Sequence, residues 1–571
     1  MVDTPEKTIQ LIDDKIEEMK PVLDRMDIDE KLYFLEPYAM SDAKGKAIPD
    51  VSNVTLNDPL TYGTKAIAIL GSYQRQTEIE GNDLNDRKTT KIEEYLADID
   101  YMVDERLVKR GIISLDAFID EQICIRGHIG ARSCVRLDKE GKFIPDVLPL
   151  DTRYFPYDND DKGMIWGTGI FSRSKGQIER EYEKELSSKP MGLKKWSNEV
   201  RDFWDSAINR VFIIGQVIRE IENTWGYPPF VRVACPSGST LNTELALKHK
   251  GEGIFWANRD LFSKKNEIAS LLNTLSIEAI FGGMQYASSK GEGASKPKET
   301  PYGPRKVIPV EKDGGFKPLP VNDIKNATRM LYTILETCLQ KGSLTPLDYG
   351  TLTFPLSGVT VHSLIGARED IFLPRLQAIA LFRQALSKMM IDQTIKLGTT
   401  VYLGKEGKEN EYTPQDLQGD YTIRYRFSLV TKEQTAADAA LANSMKGTLS
   451  DDYIRRRIFR VDDPDGMKAT LDSEAAVRED DVLRNFFRGL GFIYEAEELK
   501  GNEKRIKQYA AKTIMQRIRT IMAQRRAMGQ LSPMEGKELP SQPQKQLLSV
   551  LGGGQGGGAK GTPQPEEEQT E

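Results

Sequence analysis

The chain has 571 residues, 39% of them hydrophobic and 29% charged, with a formal net charge of −6. That length provides for several domains, since single cores stop growing near roughly 250 to 300 residues. The acidic balance argues against a DNA-coating role, so any nucleic-acid contact is expected to be local or transient. Cys124, Cys134, Cys235 and Cys338 show no CxxC spacing and lie in apolar-looking segments, which predicts buried free thiols in a reducing compartment. No apolar leader follows Met1, and no stretch reaches the ~18 to 20 apolar residues of a membrane span, so neither export nor insertion is expected.

From the start of the chain, Thr4 to Asp27 reads as an amphipathic helix with Ile9, Ile12, Ile16, Met19 and Leu23 on one face. Pro21 is expected to kink or end it near Lys20. Helical patterns follow at Thr61 to Ile79, Lys91 to Arg110 and Ser114 to Gly127. From Ala131 the period changes to that of an antiparallel meander: Cys134 to Leu137, Phe143 to Leu150, Arg153 to Tyr157 and Met164 to Ser172. The stretch Asp158 to Gly163 superficially resembles a calcium loop. Its fifth position is Lys162 and its twelfth is Gly169 where a bidentate Glu is needed, so an acidic hairpin tip is the better reading. A polar helix at Lys175 to Glu185 and strands at Arg210 to Ile221 and Phe230 to Ala234 complete this part.

The stretch Gly253 to Leu397 organises the rest. Ile254, Leu261, Ile268 and Leu275 recur every seven residues, the apolar stripe of a helix that packs on other helices. Between Ser288 and Pro320 repeated Gly and Pro forbid a continuous helix, leaving short strand candidates at Lys306 to Glu311 and Phe316 to Leu319 around the Asp313 turn. A second helix follows with Ile324, Ala327, Leu331, Ile334, Leu335 and Cys338 at i, i+3, i+4 spacing, stopped by Gly342. Ser343 to Gly366 is a loop long enough to suggest function. A long helical run then covers Ala367 to Leu397, with a start near Phe372 or a kink at Pro374. Strands at Thr399 to Leu403 and Tyr421 to Phe427 are expected to complete the sheet begun before this stretch, giving one α+β body with an insertion-like extension.

Helices are predicted at Gln434 to Met445, Ser450 to Phe459, Gly466 to Leu490 and Glu503 to Met528. The last carries a run of Lys and Arg that reads either as a solvated face or as a phosphate contact. Beyond Leu531 the Pro/Gln/Gly-rich composition predicts disorder.

Motifs of catalysis are missing. No GxxxxGK[ST] supports an ATPase, no GxSxG a hydrolase elbow, and His128, His249 and His362 stand in no metal-ligand spacing. No catalytic residue, metal or cofactor is therefore assigned, and no enzyme activity is expected. Two readings stay open: an oligomeric structural or scaffolding-like protein, and a metal-dependent nuclease built from distant carboxylates.

In order and in four local stretches the sequence resembles the portal proteins, or head-tail connectors, of tailed bacteriophages. Pro149 to Asp158 looks like the strand that ends the family's first sheet. Gly226 to Val231 is similar to the segment before its first stem helix, and Leu356 to Leu364 to the segment that runs into its long helix, with Thr360 in place of a small apolar residue. Gly447 to Arg455, continuing to Val461–Pro464, resembles the start of its helical C-terminal region. The resemblance covers Pro149 to about Glu498; Met1 to Pro149 contains no family motif.

The resemblance implies a portal-type α+β fold: N-terminal helices and wing at 1–252, stem helices at 253–287 and 321–342, and a small α/β clip at 288–320 between them. It further implies a tunnel loop at 343–366, a wing helix with closing strands at 367–430, a helical crown at 431–530 and a disordered tail at 531–571. The family assembles as a ring of about twelve subunits at one capsid vertex of the virion, formed in the host cytoplasm, through which double-stranded DNA passes in packaging and ejection. Its partners are terminase, major capsid and scaffolding proteins and a head-tail adaptor, with no membrane. Residues implied to face the DNA channel are Lys341, Asp348, Tyr349, Thr351 and Thr353. Lys306, Glu311, Lys312 and Asp313 are implied to dock clip partners, and Ile254, Leu261, Ile268 and Leu275 to pack the stem.

Overall fold

The computed structural model describes residues 4–49, 51–81, 86–138, 140–188, 192–194, 198–241, 243–281, 284–287, 315–318, 325–344, 349, 358–429, 442–459, 464–498 and 502–530. The chain mixes helix and sheet and divides into two compact units, Met1–Ala469 and Thr470–Glu571.

In the first unit, helix α1 (Pro5–Tyr33) starts where Thr4 Oγ1 accepts from Lys7 N at 3.4 Å, with Pro5 in the first turn. It does not stop near Lys20 but runs through Pro21. A mid-helix proline costs ~3 kcal/mol. Tertiary anchoring on both sides outweighs that: Ile12 packs with Trp166, Phe203 and Phe212, while Leu23, Arg25, Met26 and Asp29 are buried beyond the proline.

Helix α2 (Asp58–Leu70) ends at Gly71, and the chain then extends into strand β1 (Tyr73–Glu80), so the expected helix from Thr61 to Ile79 is half helix and half strand. The sequence of β1 is almost wholly polar and shows no apolar alternation. Its partner lies at the other end of the unit: β1 pairs antiparallel with β14 (Thr422–Leu429), from Tyr73 opposite Leu429 to Glu80 opposite Thr422. Cross-strand pairs hold that register, Glu78 with Arg426 at 2.7 Å and Glu80 with Arg424 at 2.9 Å.

Helices α3 (Asp86–Lys109) and α4 (Leu115–Ile125) lead into two sheets rather than the single expected meander. The first has the order β3-β2-β9, from β2 (His128–Leu137), β3 (Phe143–Leu150) and β9 (Phe230–Ala234). A 3₁₀ turn at Thr152–Tyr154, capped by Asp151, ends it where a strand is expected. The second is an antiparallel five-stranded sheet of β4 (Tyr157–Asp160), β5 (Gly163–Arg173), β6 (Asn198–Asp205), β7 (Ile208–Ile213) and β8 (Gln216–Glu222). Asp160 Oδ1 accepts from the amides of Lys162 and Gly163 at the β4–β5 turn, so the acidic stretch is a hairpin tip. A turn at Ile214–Gly215 splits the expected strand Arg210 to Ile221 in two. Short helices α5 (Lys175–Glu181), α6 (Glu183–Ser188) and α7 (Glu244–Leu247) sit in the connections.

After helix α8 (Arg259–Phe281) come strands β10 (Met284–Ala287) and β11 (Gly315–Pro318), which pair antiparallel, and helix α9 (Lys325–Lys341). Helix α10 (Gly358–Leu397) begins nine residues before the expected start at Ala367, so residues 358–366, read as loop, are helical. Pro374 lies inside it. Phe372, Ala378, Ile379, Phe382, Leu386 and Met390 sink its central part into the main core with residues of α3, α4, β2 and β9. Strands β12 (Val401–Lys405) and β13 (Lys408–Tyr412) form a separate hairpin, then comes α11 (Pro414–Leu417). Among the described residues the closing strands thus do not join the sheets of residues 128–234; β14 pairs instead with β1. A short helix α12 (Asp451–Tyr453), capped by Ser450, opens a π-turn at Ile454–Ile458.

Helix α13 (Pro464–Glu479) is separated from α14 (Asp481–Glu498) at Asp480, whose Oδ1 accepts from Val482 N at 2.7 Å, so the expected single helix Gly466 to Leu490 is two. In the second unit α14 packs against α15 (Asn502–Gln530). Of the expected helix Gln434 to Met445 only 442–445 is described, as helix. The tail from 531 onward lies outside the described residues.

Candidate functional site

Between α7 and α8 the chain crosses the body without regular structure, and its buried carbonyls need donors. Arg25, fully buried on α1, supplies them: Nη1 donates to Gly251 O at 2.9 Å and Lys250 O at 3.1 Å, and Nη2 to Arg126 O at 3.0 Å. The approach is close enough that a Cβ at Gly127 would sit 2.1 Å from Gly251 O; both glycines have positive φ. His128 adds a ring contact to Lys250 O at 3.1 Å. Burial, with Arg232 and Arg25 nearby, holds its pKa well below the ordinary imidazole value.

Around that crossing lies a buried charge network. Glu252 receives Arg259 Nη2 at 2.6 Å, Arg25 Nη1 at 3.2 Å and His249 Nδ1 at 2.6 Å. Arg259, the first residue of α8, also grips Asp29 through both carboxylate oxygens. Burial pushes the Glu252 carboxyl up, but Arg259 and Arg25 outweigh it and hold it below the usual range. At Asp29 burial wins over the same arginines and the pKa is raised. Arg126 extends the network, donating to Met26 O and pairing with Asp151 and Glu30, each at 2.8 Å. The base of α8 is therefore fixed to α1 by hydrogen-bonded charges, an arrangement that is costly to break from either side.

On this base α8 and α9 rise as an antiparallel pair. Asn258 Nδ2 donates to Leu339 O at 3.2 Å, and Gly342 ends α9 against the same side chain, where a Cβ would fall 2.3 Å from Asn258 Oδ1. Lys265 bridges Glu336 of α9 at 2.6 Å and Asp58 of α2 at 3.0 Å. An extended strap, residues 51–57, is laid along α8: the amides of Leu56, Val54 and Ser52 donate to Asn266 Oδ1, Ser270 Oγ and Thr274 Oγ1 at 2.8–3.0 Å. The four-residue step of those acceptors puts them on one helix face. The two-residue step of the amides is that of an extended chain.

The residues expected to pack the stem lie differently. Ile254 precedes α8 and is buried in the main core; Leu261 packs half-buried against it, Ile268 is buried and Leu275 is half-buried. Three of the four therefore face this chain's own interior. Among the described residues, the exposed apolar side chains include Met330 (69% exposed), Ile334 (48%), Leu331 and Tyr332 on α9, and Leu271, Leu272 and Ile277 on α8. The signal for them was the breadth of the apolar pattern, which runs further round each helix than one packing face needs.

Lys341 is exposed at the end of α9, and Tyr349 packs half-buried against the main core. Asp348, Thr351, Thr353, Lys306, Glu311, Lys312 and Asp313 lie outside the described residues, as does the expected strand Lys306 to Glu311; β11 occupies most of Phe316 to Leu319. All four cysteines are free; Cys124 and Cys235 are buried while Cys134 and Cys338 are only half-buried by exposure. Burial pushes the Cys124 thiol up to about 12, so it is inert. Among the described residues no cluster of three or more His, Cys, Asp or Glu could hold a metal, and no helix is long and apolar enough to cross a membrane.

No family model and no curated protein matches the sequence. A chain from the neck of an empty GTA particle, computed with C6 symmetry, aligns with a TM-score of 0.36 and 10% identity, over 70% of this chain and 89% of that one.

Proposed function

We propose that this chain is the subunit of a phage portal, a ring at one capsid vertex through which double-stranded DNA enters and leaves. The observation that carries the reading is the α8–α9 pair: two antiparallel helices on a rigid charged base, with Met330, Leu331, Ile334, Leu271, Leu272 and Ile277 exposed in a single chain. A monomeric soluble protein rarely leaves such a surface uncovered. Lateral packing of identical helix pairs around a closed ring covers it with the same surface of a neighbour.

The order of the elements supports the reading further. A helix leaves the body, a short excursion starts and ends at the β10–β11 pair, a second helix returns to the first helix's base, and the long α10 runs back through the core. In this reading α8 and α9 are the stem, the segment between β10 and β11 is the clip that docks terminase and later the head-tail adaptor, and the chain before α10 lines the channel. Sliding DNA favours a lining with few fixed cations, since every phosphate contact adds affinity and friction, and the net charge of −6 agrees with it.

Electron microscopy of the purified chain tests the proposal. Closed rings with a central hole are expected, and Met330→Asp with Ile334→Asp should abolish them while leaving the monomer folded, because both side chains are exposed. Monomers at high concentration, or rings indifferent to those substitutions, would overturn it. Filaments would favour a different structural oligomer, and turnover of DNA with a divalent metal would favour a nuclease.

A further inference from the structure

The basic run near the C-terminus has no part in the reading above. Helix α15 carries eight lysines and arginines against Glu503 alone, a net of +7 in 29 residues of a chain whose total is −6. A solvated helix face ordinarily interleaves acids at i±3 and i±4. The preceding α13 does so, with Arg478 paired to Glu474 at 3.1 Å. On α15 the single acid, Glu503, stands four residues before Lys507, and no Asp or Glu lies three or four residues from Arg505, Lys512 or Arg519.

Geometry sorts these cations. Ala511 and Ile518 are buried, and Ile514 and Met515 lie against Gly489 of α14, which defines the inner face. Arg505, Lys512 and Arg519 are all exposed and recur every seven residues, a nearly straight line well round the helix from that face. Successive charges are ~10.5 Å apart on a rod of ~44 Å, longer than one turn of duplex DNA. Tyr509, 74% exposed, and Ile506 stand on the outer side beside them. None of the three cations has an ion-pair partner among the described residues.

We infer that the line Arg505–Lys512–Arg519 on α15 is a binding site for the phosphate backbone of duplex nucleic acid. A straight, regularly spaced row of unpaired cations matches a rigid, periodic array of anions better than an irregular acidic patch, and two of the three are arginines, whose fork suits phosphate. The site holds phosphates where a channel must let them slide. It does not rest on ring formation: a chain that makes no rings retains it.

The test is salt-dependent binding of a short DNA duplex to the full chain, comparing the wild type with Arg505→Gln/Lys512→Gln/Arg519→Gln. The expected result is a loss of about tenfold or more in affinity and a fall of ~2.7 in the slope of log K against log salt. Lys44→Gln/Lys46→Gln/Lys65→Gln, three exposed lysines of the first unit, should leave both nearly unchanged. Chemical acetylation of the wild-type chain supplies a second readout, with DNA protecting Lys512 but not Lys44 or Lys46. Equal loss in both triple variants, an unchanged slope, or Lys512 unprotected would overturn the proposal. Displacement of DNA by polyglutamate at equal charge concentration would assign the stripe to an acidic polypeptide instead.

Discussion

Arg259 and Asp29 form a bidentate ion pair across 230 residues of chain, Nε to Oδ1 at 2.6 Å and Nη2 to Oδ2 at 2.9 Å, both side chains buried. Because Arg259 opens α8 and Asp29 lies near the end of α1, the pair fixes the direction in which the helix pair leaves the body. Glu252 shares Arg259 with Asp29 and also holds Arg25, so one carboxylate touches two buried guanidiniums.

Glu252→Gln should destabilise the first unit by ~3 kcal/mol or more, since it leaves buried positive charge uncompensated. Urea unfolding followed by tryptophan fluorescence reads this directly. A loss below ~1 kcal/mol would mean that the network contributes no more than a surface pair.

Asp120 gives the fold a pH dependence. Burial, then the charge of Asp116, pushes its carboxyl up to about 7 against the pull of Arg383. A folded pKa above the unfolded value of ~3.9 means that its contribution is full below that value and lost as pH rises through the folded one. Asp120→Asn should therefore stabilise more at about pH 8 than at about pH 5, by roughly 1 to 2 kcal/mol after solvent screening. His128 acts with the opposite sign: its lowered pKa makes its contribution present above ~6.5 and lost as pH falls. Acid destabilisation should thus persist in the Asn variant, and denaturation midpoints across the range measure both.

The strap along α8 should come loose without unfolding the helix. Asn266→Ala, Ser270→Ala and Thr274→Val each remove the acceptor of one strap amide, at about 1 kcal/mol apiece. Hydrogen exchange should accelerate at Ser52, Val54 and Leu56 while the backbone amides of α8 stay protected. Uniform acceleration across both would show that strap and helix open as one unit.

Ile214 sits at φ +50° in the two-residue turn between β7 and β8, followed by Gly215 at +72°. A β-branched residue in that region is strained by ~1 to 2 kcal/mol, and the turn type prefers Asn-Gly. Ile214→Asn should raise stability by about 1 kcal/mol, seen as a higher thermal midpoint. An unchanged or lower midpoint would mean that packing of the exposed side chain offsets the strain.

Local chemistry alone determined much of this protein. The start of α1 near Thr4, the acidic β4–β5 hairpin tip, strand β3 and the central run of α10 were legible because turn chemistry and the 2.0- and 3.6-residue periods act within a few residues of chain. The tertiary structure decided what depends on a distant partner. The polar stretch Tyr73–Glu80 is a strand because β14 meets it from the far end of the unit, and α1 continues through Pro21 because Ile12 and Met26 are buried on either side. Likewise, the heptad Ile254, Leu261, Ile268, Leu275 announced a packing helix but not its partner, and the buried base turned that stripe inward while leaving Met330 and Ile334 outside. Periodicity records that a face is apolar; only the arrangement of the whole chain settles which faces the protein itself covers.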